Sequence, residues 1–289
     1  MYGDILPNTF YAKVGSRPGQ LIRGLEYVWK YLTGMGGVAR VILVFLGWRA
    51  FHGSPGRGFI FALAALVLMS VIAVGGDSLP MYRFMVPLVP LEIVLIAGGI
   101  RDITRLGMSH RAFPALSAWA VLLMLAGSQA AAAFHGRQAQ YVEADRERMQ
   151  DRIAIGKWLK KHYPGRTIAL NAAGAIPFYS GLRAIDMLGL NEPEIARASS
   201  DRLGKGWAGH EKHDAEYVLG RRPAIIFIGR NELTLDKYEV FVWLPGDQRL
   251  LRSETLKKNY RTVSIPVGYE YFTFYLRQDQ PLPRESSFE

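Results

Sequence analysis

Cysteine is absent from all 289 residues, which excludes disulfides and thiolate metal sites and leaves the redox compartment open. Charge is missing locally as well: nothing from position 58 to 76 is charged, and beyond Arg83 a second apolar run, broken only by Glu92, continues to Ile100. There is no phosphate-cradling glycine loop, nucleophile elbow or zinc motif, so a soluble hydrolase or a nucleotide-binding enzyme has no support. The net charge of +10 does not point to nucleic acid, because the basic residues form no stripe with interleaved aromatics and no nucleic-acid motif is present. Met1 is followed by a polar, proline-containing stretch with neither a basic n-region nor an apolar h-region, so no signal peptide is expected.

What is present divides into two unlike halves. Residues 1–134 hold 16 charged side chains and residues 135–289 hold 44. A hydrocarbon core needs about 20 mostly apolar residues in a helix, and four stretches approach this: 35–51, which contains Arg40 and Arg49, then 58–74, 84–100 and 112–134. Before them, 1–15 reads as an extended loop. Positions 20–32, with Leu21, Leu25, Val28 and Leu32 between charged residues, predict an amphipathic helix, either interfacial or an ordinary surface helix. Arg101, Arg105, Arg111 and His110 between the last two spans, and Arg57 between the first two, mark cytoplasmic loops. Four crossings then place the opening segment, the loop at 75–83 and everything after Phe134 on the far side. Membrane lipid is thus an expected partner, in a multi-pass protein of the cytoplasmic membrane whose second half is extracytoplasmic.

The polar half reads as α/β. A charged amphipathic helix at 141–162 ends at Tyr163-Pro164-Gly165, a helix stop. Strands are expected at 167–172, 183–187 and 224–229, with helices at 193–198 and 213–219 between them. Strand–helix alternation predicts a mainly parallel sheet. Aromatic-rich strands at 260–266 and 271–277 offer an antiparallel edge, and 278–289 reads as a loose tail. The fold class is therefore an α-helical membrane region of about four transmembrane helices (1–134) followed by an α/β soluble domain with a mainly parallel sheet (135–289).

Candidate chemistry begins at Gly75-Gly76-Asp77-Ser78-Leu79-Pro80-Met81-Tyr82-Arg83. Asp77, the single weak catalytic candidate, can meet a hydroxyl, a sugar or a metal, while Arg83 with Tyr82 meets a lipid-linked phosphate, since guanidinium matches phosphate oxygens in bidentate fashion. The alternative is an ordinary polar loop in which Arg83 anchors a helix end at the headgroups. Glu92, eight residues into a span and preceded by Pro87 and Pro90, is either functional or a structural partner of Arg40. Gly209-His210-Glu211-Lys212-His213-Asp214 places two histidines beside carboxylates, yet the spacing is not that of a helix-borne zinc pair, and a solvated helix start capped by polar residues is the favoured reading. Asp186 and Asn191 sit at a strand end, where α/β sheets place ligands, or act as turn and cap residues. No metal ligand set is assigned and no cofactor is certain, although a divalent metal stays open.

Four strings, taken together and in order, resemble a known family. They are Tyr2-Gly-Asp-Ile-Leu-Pro-Asn-Thr-Phe-Tyr-Ala-Lys13, Gly75-Gly-Asp77 with Met81-Tyr-Arg-Phe-Met-Val-Pro-Leu-Val-Pro90, Asp186-Met-Leu-Gly-Leu190 with Pro193-Glu-Ile-Ala196, and Gly209-His-Glu-Lys212 before Tyr217-Val-Leu-Gly-Arg-Arg-Pro223. The chain resembles bacterial polytopic glycosyltransferases of GT-C type, similar to the terminal arabinofuranosyltransferases of the cell envelope. The resemblance implies transfer of a sugar from a polyprenyl-phosphate donor to an envelope glycan on the periplasmic side. It also implies that Asp4, Asn8, Tyr11 and Lys13 lie near the donor on one outer loop, with Asp77, Tyr82 and Arg83 on a second loop lining the same cavity. Family members begin with further helices and an acid-bearing first outer loop that this sequence does not show. The expectation is accordingly a C-terminal portion whose catalytic carboxylate lies elsewhere, and the competing expectation is a non-catalytic membrane-anchored protein whose α/β domain binds a glycan or a protein.

Overall fold

The computed structural model describes residues 4–15, 18–34, 37–79, 81–106 and 137–283, with positions 123 and 127. Two compact units result: Ser16–Val142, and a unit formed by Met1–Gly15 together with Glu143–Glu289. The boundary expected at 134/135 falls outside the described residues, and the opening segment, expected with the membrane region, belongs to the α/β unit.

After helix α1 (Asn8–Lys13) of the other unit, helix α2 (Pro18–Thr33) in the helical unit buries Gln20, Gly24, Tyr27 and Tyr31 and leaves Leu21, Ile22, Leu25 and Trp29 exposed. That arrangement inverts the usual rule for a helix in water, where the apolar stripe faces the core. Helix α3 spans Gly37–Ala50 and α4 Gly56–Val74. Gly75 closes α4 in the left-handed conformation (φ 81°), its N–H and that of Gly76 reaching back to Ile72 and Val71 at 3.0 Å. Two α2 side chains satisfy carbonyls at the same terminus: Gln20 Nε2 donates to Val74 O (2.9 Å) and Arg23 Nε to Gly75 O (2.8 Å). After the loop, a 3-10 turn at Arg83–Leu88 runs into helix α5, Val89–Leu106. At Gly47 and Gly99 any side chain would collide with the Leu95 and Leu43 carbonyls, so glycine is what lets α3 and α5 approach backbone to backbone.

Among the described residues two helices, Gly56–Val74 and Arg83–Arg101, are long and apolar enough to cross a membrane, and only 6% of the residues in the first are buried. The expectation of four spans is narrowed here. Helix α3 has 14 residues, about 21 Å at 1.5 Å per residue, short of a hydrocarbon core of about 30 Å. The fourth stretch, 112–134, lies outside the described residues apart from positions 123 and 127. Glu92 does meet the Arg40 partner weighed in the sequence: it lies 4.0 Å from Arg40 and accepts from Tyr31 Oη (3.0 Å), while Arg40 also donates to Tyr31 O (2.9 Å). It joins three helices as a structural partner.

The α/β unit contains one five-stranded sheet. Its strands are β1 (Thr167–Leu170), β2 (Arg183–Asp186), β3 (Ile225–Ile226), β4 (Tyr260–Val267) and β5 (Glu270–Arg277), in the order β2-β1-β3-β5-β4. β1 pairs in parallel with β2 and β3, whereas β3–β5 and β5–β4 are antiparallel. The sheet is therefore mixed rather than mainly parallel, because the aromatic hairpin β4–β5 supplies two of its five strands and two of its four pairings are antiparallel. Alternation along the strands sends side chains to both faces. Ile168, Leu170, Ile225 and Phe227 meet Ile155, Trp158 and Leu159 from the helix Arg137–His162 and Tyr163 just after it, while Ala169, Ile226 and Ile228 meet Ile195, Val218, Leu250 and Leu256. The tail is less loose than its composition predicts: Gln280 is buried, and Tyr163 Oη donates to Pro281 O at 3.1 Å.

Candidate functional site

Within the helical unit, Asp77 and Arg83 form one pair. Arg83 Nε donates to Asp77 Oδ2 and Nη2 to Oδ1 (3.1 Å), and Ser78 N–H adds a bond to Oδ1 (2.9 Å). Solvent reaches none of the Asp77 side chain but half of that of Arg83. The weak catalytic candidate thus acts as a clamp that presents the guanidinium. Tyr82, in the left-handed conformation (φ 49°), sets its ring between Tyr27 and Tyr31, with centroids 5.3 and 5.6 Å away.

The α/β unit brings together three of the four strings, although nearly two hundred residues separate the first from the others. The segment expected to be an extended loop contains a short helix, Asn8–Lys13, because Pro7 caps it and Ala12, 1% exposed, fixes it to the domain. Asn8 Nδ2 donates to Gly189 O (3.1 Å). Asp4 accepts from Tyr11 Oη (2.9 Å) and pairs with Arg197 (2.6 Å), whose guanidinium lies 4.9 Å from the Tyr11 ring. The Tyr11 hydroxyl first and Arg197 second hold the Asp4 carboxyl below its ordinary range. The Lys13 stem lies against Gly209, so close that a side chain there would meet Lys13 Cε at 2.8 Å.

The receiving residues are themselves fixed by buried polar contacts. Asp186, at the carboxyl end of β2, accepts from Leu188 N (3.0 Å) and Asn191 N (2.8 Å), so it ties the turn that carries Gly189. Burial pushes its carboxyl up despite those donors. Lys212 Nζ donates to Ala196 O (2.6 Å), and burial lowers its amine. Glu211, 1% exposed, accepts from Gly204 N (2.7 Å) and Gly206 N (3.3 Å). Asp214 caps the helix Ala215–Gly220 by accepting from Tyr217 N (2.8 Å). Of this polar block only Asp214 is the cap residue that its composition suggests; Glu211 and Lys212 are buried anchors. His210 approaches Ala208 O with Nδ1 (3.2 Å). Among the described residues no group of three or more His, Asp or Glu side chains is placed to hold a metal ion.

One residue escapes sequence reasoning. Asp247, in the first turn of the helix Pro245–Arg252, lies buried where β1 and β3 end, and accepts from Asn171 Nδ2 (2.8 Å) and Gly229 N (3.1 Å). Burial pushes its carboxyl up to about 6. His213, whose Nδ1 is buried with no partner among the described residues, lines the same shallow depression, which has room for about 10 Å³. Pro245 followed by Asp247 is a helix-start signal that was available in the sequence; nothing there shows that this carboxylate turns inward.

Neither a curated protein nor a solved structure matches this sequence. A family model does match residues 135–279, half of the chain and nearly all of the polar part. The chain belongs to the family described as Domain of unknown function (DUF8728).

Proposed function

We propose that this protein is a polytopic envelope glycosyltransferase of GT-C type, or the portion of one that holds its substrates, in the bacterial cytoplasmic membrane with the α/β unit periplasmic. The reaction served is transfer of a sugar from a polyprenyl-phosphate donor to an envelope glycan. The observation that carries this reading is the convergence of the strings 4–13, 186–197 and 209–212 on one surface through Asn8–Gly189, Asp4–Arg197 and Lys13–Gly209. Unrelated local matches have no reason to meet. The apolar outward face of α2 and the two long apolar helices support a lipid setting. In this reading Arg83, presented by Asp77 and with Tyr82 supporting its loop, attracts the donor phosphate. Within the α/β unit, Lys13 supplies a second cation, and Asp4, Asn8 and Tyr11 shape the segment that carries it.

A second reading, a non-catalytic membrane-anchored protein whose α/β unit binds glycan, is favoured by one specific fact. Asp4, Asp77, Glu92 and Asp186 are each engaged in an ion pair or in several hydrogen bonds, which is a poor start for a general base. The two are separated by assaying sugar transfer from a polyprenyl-phosphate donor in membranes containing the protein, beside Arg83→Ala and Lys13→Ala. Transfer that falls at least 10-fold in both variants supports the enzyme. Transfer that never exceeds membranes lacking the protein removes it in favour of the binding reading.

A further inference from the structure

Beside the converging strings the α/β unit holds an open cleft of about 200 Å³. Its walls are aromatic. Trp207 and Trp243 meet edge to face with centroids 4.8 Å apart, and His210 lies 5.6 Å from Trp243 and 5.9 Å from Trp207. Trp207 is 53% exposed, unusual for the largest apolar side chain on a surface that has a core available to it. The rim is basic: Arg202 and Lys205 line the cleft, both are exposed, and neither forms an ion pair among the described residues. The base of the cleft is rigid, because Glu211 gathers the amides of Gly204 and Gly206 from below. The indole N–H of Trp243 is buried there without an acceptor among the described residues.

An open aromatic face beside two cations has a specific chemical complement. A sugar ring lays its C–H face on an indole and leaves its hydroxyls in water, while guanidinium and ammonium groups at the rim attract an anionic substituent. A purely apolar ligand leaves the cations unanswered, and a bare anion leaves Trp207 unused. We propose that this cleft binds a saccharide residue carrying a phosphate or carboxylate group, the ring on Trp207 and the anionic group toward Arg202 and Lys205. The proposal deepens the carbohydrate reading above and rests on it. It gives the α/β unit a subsite that Asp4, Asn8, Tyr11, Lys13 and Arg83 do not form.

The test is a titration of the detergent-solubilised full chain, read by tryptophan fluorescence and by ligand-observed NMR, with glucose 1-phosphate, glucuronate, glucose and inorganic phosphate as separate probes. The two anionic sugars are expected to saturate at least 10-fold more tightly than glucose or phosphate, with affinity falling as salt rises. Trp207→Ala should weaken the sugar phosphate about 5- to 10-fold, since a stacking contact contributes about 1 kcal/mol. Arg202→Ala with Lys205→Ala should bring glucose 1-phosphate down to the level of glucose. Inorganic phosphate binding as tightly as glucose 1-phosphate reduces the cleft to a generic anion pocket and overturns the proposal, whereas a preference between glucuronate and glucose 1-phosphate distinguishes a glycan acid from a sugar phosphate within it. No saturable response to either anionic sugar, or affinities unchanged in Trp207→Ala, overturns the proposal. Failure here with transfer still lost in Arg83→Ala leaves the function standing. Retained binding with no transfer activity removes the enzyme and keeps the subsite.

Discussion

Asn8 and Gly189 are joined by one hydrogen bond, side-chain amide to backbone carbonyl at 3.1 Å, across 181 positions of sequence. Gly189 sits in the turn that Asp186 holds from the opposite side. Through that bond the start of the chain becomes part of a domain encoded at its end.

Chemical cross-linking tests this union directly. The chain has no cysteine, so Asp4→Cys combined with Arg197→Cys gives a background-free pair at a site where the native side chains touch. A short bismaleimide should link them within one chain, and proteolysis between positions 16 and 142 should leave both fragments attached. Fragments that separate as freely as in either single variant show that the segment lies elsewhere.

Asp77 and Arg83 make a different kind of pair. If the covered carboxylate presents the half-exposed guanidinium, Asp77→Ala should loosen the loop while leaving the helices intact. Tryptic cleavage after Arg83 should accelerate several-fold, with an unchanged far-UV spectrum. The Arg83 side chain stays half in water, so solvent screens the pair, its loss should cost on the order of 1 kcal/mol, and the melting temperature should move little. Equal cleavage rates argue against the clamp.

Glu92 and Arg40 bind the helical unit from within. Glu92→Gln leaves a buried guanidinium without its counter-charge and should cost about 3–5 kcal/mol, whereas Arg40→Met with Glu92→Leu should lie near wild type. Thermal melts in detergent measure both. A double variant as unstable as the single one indicates that Glu92 does something other than pair.

Asp247 sets a pH dependence whose sign is fixed. Its folded-state value, raised from 3.8 to about 6, means that the folded protein holds this proton more tightly than the unfolded chain. The stability it contributes is complete below about pH 4 and is lost as pH rises through about 6. At about 1.4 kcal/mol per pH unit the loss is on the order of 3 kcal/mol. Urea unfolding at several pH values, followed by tryptophan fluorescence, should show a shallower decline in Asp247→Asn. Identical slopes in the two proteins contradict the assignment.

A topology reporter checks the proposed setting. Alkaline phosphatase fused after Glu289 should be active, and a fusion at Gly53 inactive. Activity at both positions, or at Gly53 alone, breaks the proposed orientation.

Patterns carried by neighbouring residues were legible in the sequence. The uncharged run after Gly58 became α4, the charged amphipathic repeat before Tyr163 became a helix with its stop where expected, and the period-2 aromatics of 260–277 became the hairpin. Patterns that depend on distant partners were not. Ala175–Ser180 reads as a turn-rich stretch with a proline, yet it is helical, with Ile176 fully buried in the core. Whether Asp77 is free or covered depends on where Arg83 folds back, and whether Glu211 is solvated depends on a loop that wraps over it. Composition shows that these residues are ionisable; only the fold shows what they face.

The shared domain of residues 4–15 and 143–283 also restricts how the chain threads a bilayer. Both ends of the intervening segment return to one folded body, so the crossings between Gly15 and Glu143 must come in an even number. An odd number would require a lipid bilayer to run through a hydrogen-bonded protein core. The two long apolar helices satisfy this parity by themselves but would leave the loop at 75–83 across the bilayer from the domain, so the proposed setting of Arg83 requires one further crossing before Gly56 and a matching one after Arg101.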